Sequence, residues 1–112
     1  MPFAVNPRTA GTAAVLEVTG ELDIATAPAL QAAVDSELAA GRRRLVVDLT
    51  PTEFLDSSAC RVLALSARAC SRVEATLVAV CPPEHRTVRR VLDFMGLDEV
   101  VPVLDRLPEG TG

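Results

Sequence analysis

Hydrophobic positions along the chain change period several times, and each change marks an element. From Ala13 to Thr19, Leu16 and Val18 alternate with Glu17 before Gly20 closes the run, which predicts a strand. Phe3 to Val5 is a candidate short edge strand before it, and Gly20-Glu21-Leu22-Asp23 reads as a turn. Leu30, Val34 and Leu38 then recur every four residues, placing them on one helical face. Thr26 is the expected N-cap of that helix, Pro28 sits in the first turn where a missing N–H is tolerated, and Gly41 ends it. Leu45 to Leu49 is almost continuously apolar, the pattern of a strand buried on both faces. Thr50-Pro51-Thr52-Glu53 breaks it, leaving Phe54-Leu55 as a short apolar pair.

Asp56-Ser57-Ser58 opens a second helix, with Cys60, Leu63, Ala67 and Cys70 on one stripe and Arg61, Arg68 and Arg72 on another. Ala75 to Cys81 is the next strand, ended by Pro82-Pro83. A third helix is expected from about Glu84 to Met95. Val88, Val91, Leu92 and Met95 form its apolar face, Arg86, Arg89 and Arg90 lie outside it, and Gly96 stops it. A last strand covers about Val100 to Leu104. Asn6 to Thr12 and Pro108 to Gly112 read as loose ends around a core of about 13–105. The order β-β-α-β-α-β-α-β implies crossover connections. The expected architecture is an α/β domain: a mixed, mostly parallel sheet of about four to five strands packed against about three to four helices.

Composition narrows the function classes. A chain of 112 residues with 49% apolar and 23% charged residues is one globular domain spanning 1–112. Its longest apolar run, Leu77 to Cys81, falls far short of the ~20 residues of a membrane helix. The N-terminus lacks the pattern of a signal peptide, so the cytoplasm is the expected compartment and no membrane partner is expected. A net charge of -4 disfavours nucleic acid as a partner. All 11 positive charges are Arg, which excludes chemistry needing a catalytic lysine. Arg42-Arg43-Arg44 follows the first helix, where cations complement the helix dipole. Cys60, Cys70 and Cys81 lack metal-site spacing and read as reduced core thiols.

Residues able to do chemistry are sparse. His85, the only histidine, lies between Glu84 and Arg86 at a helix start and reads as a solvated surface residue. Ser57 is outside any G-x-S-x-G elbow, and no nucleotide-binding loop is present. Asp93, Asp98 and Glu99 flank a helix end and a turn, where carboxylates are ordinarily solvated. Cys60, near a helix N-terminus, could be a reactive thiol, but its stripe faces the core. The chain therefore reads as a non-enzyme without cofactor or metal. Asp56-Ser57-Ser58 keeps two readings open. Asp and Ser are ordinary helix caps. Equally, a hydroxyl at a helix start is exposed among unpaired N–H donors. A phosphate there would suit the dipole and would confront a docked partner with about -1.5 to -2 charges.

Four segments together resemble a known family: Gly20-Glu21-Leu22-Asp23, Val46-Val47-Asp48-Leu49, Phe54-Leu55-Asp56-Ser57-Ser58 and Val91-Leu92-Asp93-Phe94-Met95-Gly96-Leu97. They resemble the bacterial anti-sigma factor antagonists, which are single STAS domains. The resemblance implies partner switching in transcription and stress regulation. An unphosphorylated antagonist binds an anti-sigma factor and frees a sigma factor. The anti-sigma factor is also an ATP-dependent serine kinase that phosphorylates the antagonist and so releases it, and a PP2C-type phosphatase reverses this. The resemblance makes Ser57 the phosphorylated position, with Ser58 its less favoured neighbour. It makes Asp23, Ile24, Thr26, Asp56, Ser57, Ser58, Ala59 and Arg61 the partner surface, and a monomer or weak dimer the working form. The family has Gly after the two serines, where this chain has Ala59 followed by Cys60. Gly allows close approach of a partner backbone, so the added methyl is expected to weaken kinase docking or alter partner choice. The alternative reading is a STAS scaffold that is never phosphorylated, or a small-ligand-binding module in a sensory or lipid-transport complex.

Overall fold

The computed structural model describes residues 1–108. Its sheet is organised around β2 (Ala13–Leu22), which has three neighbours. On one side β1 (Ala4–Ala10) pairs with it antiparallel, residue for residue from Ala4↔Thr19 to Ala10↔Ala13. On the other side β3 (Arg44–Asp48) runs parallel to its first half, Ala14 to Glu17. Beyond Gly20, β4 (Thr52–Leu55) runs parallel to its second half. β5 (Thr76–Val80) and β6 (Val103–Leu104) extend the parallel part beyond β3.

Four expectations about strands are corrected here. Asn6 to Thr12 is not a loose end: all of it up to Ala10 is strand. An edge strand bonds on one side only, so Pro7 can be accommodated. Gly20-Glu21-Leu22 is strand rather than turn. The positive φ of Gly20 (78°) accompanies a register shift between Gly20 and Glu21, so β2 bends and continues instead of ending. Thr52 to Leu55 is a strand in its own right, which raises the sheet to six strands. The last strand is shorter than expected, since Val100 is 60% exposed and follows a 3₁₀ turn, Leu97–Glu99.

The helices are α1 (Ala27–Ala39), α2 (Ser57–Arg72) and α3 (Arg86–Phe94). Leu30 and Val34 of α1, Cys60, Leu63 and Cys70 of α2, and Val88 and Leu92 of α3 all join one core cluster with Leu16, Val18, Val47, Leu55 and Leu77. The alternate residues Val15, Val46 and Val80 form a smaller cluster with Ala10 and Ala13, edged by Val78, Leu104 and Leu107. That second cluster contains no helical residue. The main core thus lies on the helical side of the sheet, as the period-two and period-3.6 patterns require. Met95 does not complete the α3 face as expected. The helix ends at Phe94, Gly96 turns left-handed (φ 65°), and Met95 is left 44% exposed. Among the described residues no helix is long and apolar enough to cross a membrane. The expected loose tail falls largely on residues 109–112, outside the described residues.

Candidate functional site

Parallel pairing of β2 and β4 creates the site. Leu22 lies beside Leu55 in register, so the two strands end together and the chain leaves both at the same edge. The backbone N–H of Asp56 donates to the carbonyl of Leu22 (3.3 Å), stapling the start of α2 to the end of β2. The loop after β2 and the Asp56-Ser57-Ser58 segment are brought together in this way.

The loop is built by its own side chains. Asp23 Oδ1 accepts from the N–H groups of Ala25 (2.9 Å) and Thr26 (3.1 Å). Thr26 Oγ1 donates to the Glu21 carbonyl (2.8 Å) and accepts from the Asp23 N–H (2.8 Å). Thr26 precedes α1 as expected but makes no side-chain cap to the helix; it ties the loop back to β2 instead. Asp23 and Thr26 are half-buried, while Ile24 stands at the loop tip, 77% exposed.

Asp56 is the true N-cap of α2, with its Oδ1 accepting from Ser58 (2.9 Å) and Ala59 (3.3 Å). Its carbonyl accepts from Ala59 (3.1 Å) and Cys60 (3.4 Å). Ser57 is the first helical residue and is exposed, Ser58 is half-buried, and Arg61 is exposed one turn later. Two expectations change. The N–H donors around Ser57 are not free, because Asp56 already takes those of Ser58, Ala59 and Cys60. Ala59 is 0% exposed and belongs to the core cluster, so its methyl points inward and cannot stand between this surface and a partner. Of the eight residues singled out, seven therefore reach the surface wholly or in part, and Ala59 does not.

Sequence reasoning missed Phe54. It lies opposite Glu21 in the β2–β4 register and is 43% exposed, an apolar residue one step from the loop. Only recognition of β4 as a strand would have flagged it. His85 is also placed differently from expectation. It is half-buried rather than solvated, and its Nε2 donates to the carbonyl of Thr52 on β4. All three cysteines are free and buried. Burial pushes the Cys60 thiol up, with the Asp56 charge adding to the effect, the reverse of what a nucleophilic thiolate needs. Asp93 pairs with Arg89 along α3 (3.6 Å), and Asp105 meets the same guanidinium (3.2 Å), while Asp98 and Glu99 are exposed. Among the described residues no group of three or more His, Cys, Asp or Glu side chains could hold a metal ion.

A family model described as "Mlab, STAS domain" matches residues 5–104, which takes in all the strands and helices save the first residue of β1. The chain belongs to the STAS domain family. Among curated STAS relatives it is 36% identical to the anti-sigma-F factor antagonist RsfB of Mycobacterium tuberculosis over 87 residues, 77% of this chain and 68% of that protein. Among solved structures it is similar to an anti-sigma factor antagonist from Mycobacterium paratuberculosis, at 29% identity and a TM-score of 0.83, covering 95% of this chain and 88% of that one. The Bacillus cell fate determinant SpoIIAA in its phosphorylated form shares the fold, at 21% identity and a TM-score of 0.68 over 97% of this chain and 95% of that one.

Proposed function

We propose that the protein is an anti-sigma factor antagonist: it binds an anti-sigma factor in its unphosphorylated state and is released by phosphorylation of Ser57. The observation that carries this reading is the exposed Ser57 hydroxyl at the first position of α2, held beside the Ile24 loop by the Asp56–Leu22 hydrogen bond. The names of the 36%-identical relative and the 29%-identical structure support the antagonist class. The docking surface is the Asp23–Thr26 loop with Ile24 at its tip, the Asp56-Ser57-Ser58 turn, and Arg61. Ser57 is favoured over Ser58 as the acceptor because Ser58 is half-buried.

The partner is an ATP-dependent serine kinase that is itself the anti-sigma factor. In the transfer, Ser57 Oγ attacks the γ-phosphorus of ATP. The Oγ–P bond forms as the bond to the ADP oxygen breaks, and the hydroxyl proton passes to a base on the kinase. A PP2C-type phosphatase hydrolyses the product. The chain supplies an acceptor and a surface, with no catalysis of its own. Because the Ala59 methyl lies in the core, this departure from the family's Gly does not remove the docking surface.

Intact-mass analysis after incubation with ATP and candidate anti-sigma factor kinases tests the reading. One phosphate mapped to Ser57, with loss of the complex, is expected. The Ser57→Ala form should bind constitutively and the Ser57→Asp form poorly. If both variants bind like the wild type, the proposal fails.

A further inference from the structure

The N-terminus of α2 has the form of a phosphate receptor, but three of its donors, the N–H groups of Ser58, Ala59 and Cys60, are already committed. The Asp56 carboxylate takes the N–H groups of Ser58 and Ala59, and the Asp56 carbonyl takes those of Ala59 and Cys60. A phosphate on Ser57 would be a second anion beside the Asp56 carboxylate. The neighbouring charged groups of the loop and strands at this edge are also acidic: Asp23 in the loop, Glu21 on β2 and Glu53 on β4, the last paired with the N-terminal amine. With those three donors taken, the helix start has only the Ser57 N–H left to offer the new charge.

One cation is placed to compensate that charge. Arg61 lies four residues after Ser57 on α2, so the two side chains share a face. Helical side chains lean toward the N-terminus, so the exposed Arg61 side chain has the reach to turn back toward a phosphate on Ser57. An anion N-terminal to a cation at this spacing is the favourable order. Arg61 is exposed, and among the described residues it makes no ion pair. Its fork of donors matches phosphate oxygens.

We propose that Arg61 is the intramolecular partner of phosphorylated Ser57, and that modification switches this edge twice: it adds a dianion and withdraws the Arg61 cation from any docking partner. The inference rests on Ser57 as the modified residue.

The test places phosphoserine at position 57 co-translationally, so it does not depend on finding the kinase. The second ionisation of the phosphate is followed by ³¹P NMR in the Arg61 protein and in Arg61→Gln, with Arg61→Lys as the charge-conserving control. Asp56, Asp23, Glu21 and Glu53 raise this pKa in all forms alike, so the difference isolates Arg61. A pair of this spacing should lower the pKa by about 0.15–0.4 relative to Arg61→Gln, a shift that shrinks in 1 M salt and is partly kept by Arg61→Lys. Superimposable titrations of the wild type and Arg61→Gln would overturn the pairing while leaving Ser57 as acceptor untouched. Conversely, a shift of the expected size in a protein that no kinase phosphorylates would uphold the pairing and sink the proposed switch. Arg61 is solvent-facing, so the variants are expected to fold, and amide spectra of each confirm this before titration.

Discussion

His85, at the start of α3, donates its Nε2–H to the backbone carbonyl of Thr52 at the start of β4. A carbonyl can only accept, so the proton sits on Nε2. Thr52 is tied in two further directions: its Oγ1 donates to the Val18 carbonyl (2.8 Å) and its N–H to the Leu49 carbonyl (3.1 Å). This residue thus joins the bend of β2, the end of β3 and the head of α3, and the strand it begins delivers Ser57 to the surface. Replacing His85 by Ala leaves the Thr52 carbonyl without its partner. We expect a loss of about 1–2 kcal/mol, read as a lower urea midpoint at unchanged m. An unchanged midpoint would mean that the imidazole contributes no net stability.

Gly20 permits the bend that lets β2 pair first with β3 and then with β4. A Cβ built there would lie 2.7 Å from the backbone N and Cα of Phe3, on a residue whose φ is +78°. Neither the backbone of Phe3 nor the left-handed conformation can give way cheaply. Gly20→Ala should therefore cost more than about 2 kcal/mol in unfolding free energy. Gly41 shares the positive φ (88°) but not the clash, since a methyl added there would meet nothing within 4 Å. Gly41→Ala should cost less than Gly20→Ala, and the difference between the two midpoints measures the contact with Phe3.

Asp56 acts through two separable properties, its acceptor oxygen and its charge. Asp56→Ala removes the cap and should destabilise the domain by about 1 kcal/mol. Asp56→Asn keeps an acceptor for the Ser58 and Ala59 N–H groups and should cost only a fraction of that. Thermal unfolding of the three proteins in parallel checks the order, and equal losses in Ala and Asn would assign the effect to charge instead.

Burial pushes the Cys81 thiol up from 9.0 to about 11, against the pull of the Arg89 guanidinium. Cys60 and Cys70 are also raised by burial. In the native protein all three should resist a thiol reagent at pH 8, and all should react once urea is added. The sign of the linked stability follows from proton counts. Above about pH 9 the unfolded chain loses the Cys81 proton while the folded chain keeps it, so stability present below pH 9 falls as the pH rises toward about 11. Urea midpoints across this range should drop more steeply for the wild type than for Cys81→Ala.

The elements that could be read from sequence were those whose own residues carry the pattern. Leu30, Val34 and Leu38 mark α1, and Leu45 to Val47 mark a strand buried on both faces, because burial is imposed along the whole segment. Only the start of β1 is legible, as the edge strand at Phe3 to Val5; Asn6, Pro7, Arg8 and Thr9 are exposed on an edge, where only backbone pairing with β2 makes them a strand. β4 has four residues with an exposed pair, Glu53-Phe54, in the middle, so it shows no alternation. Its strand character comes from its partner β2, and with it the exposure of Phe54. At the site, Asp56 as cap and Ser57 as an exposed helix start were legible from residue type. The commitment of the helix donors and the inward methyl of Ala59 depend on where Asp56 points and where the core lies, which no local spacing encodes.

Helix α1 begins at the edge that carries the Ile24 loop and runs back, so Gly41, Arg42 and Arg43 emerge at the far pole, where β3 starts its course toward the site. Gly41 has open space around it. The molecule therefore offers a natural handle: a fluorophore, an affinity peptide or an immobilising linker inserted at this turn would point away from the working edge. The partner exchange proposed at Ser57 could then be tested on a surface or in a single molecule with the reporter and the proposed site at opposite ends of the domain.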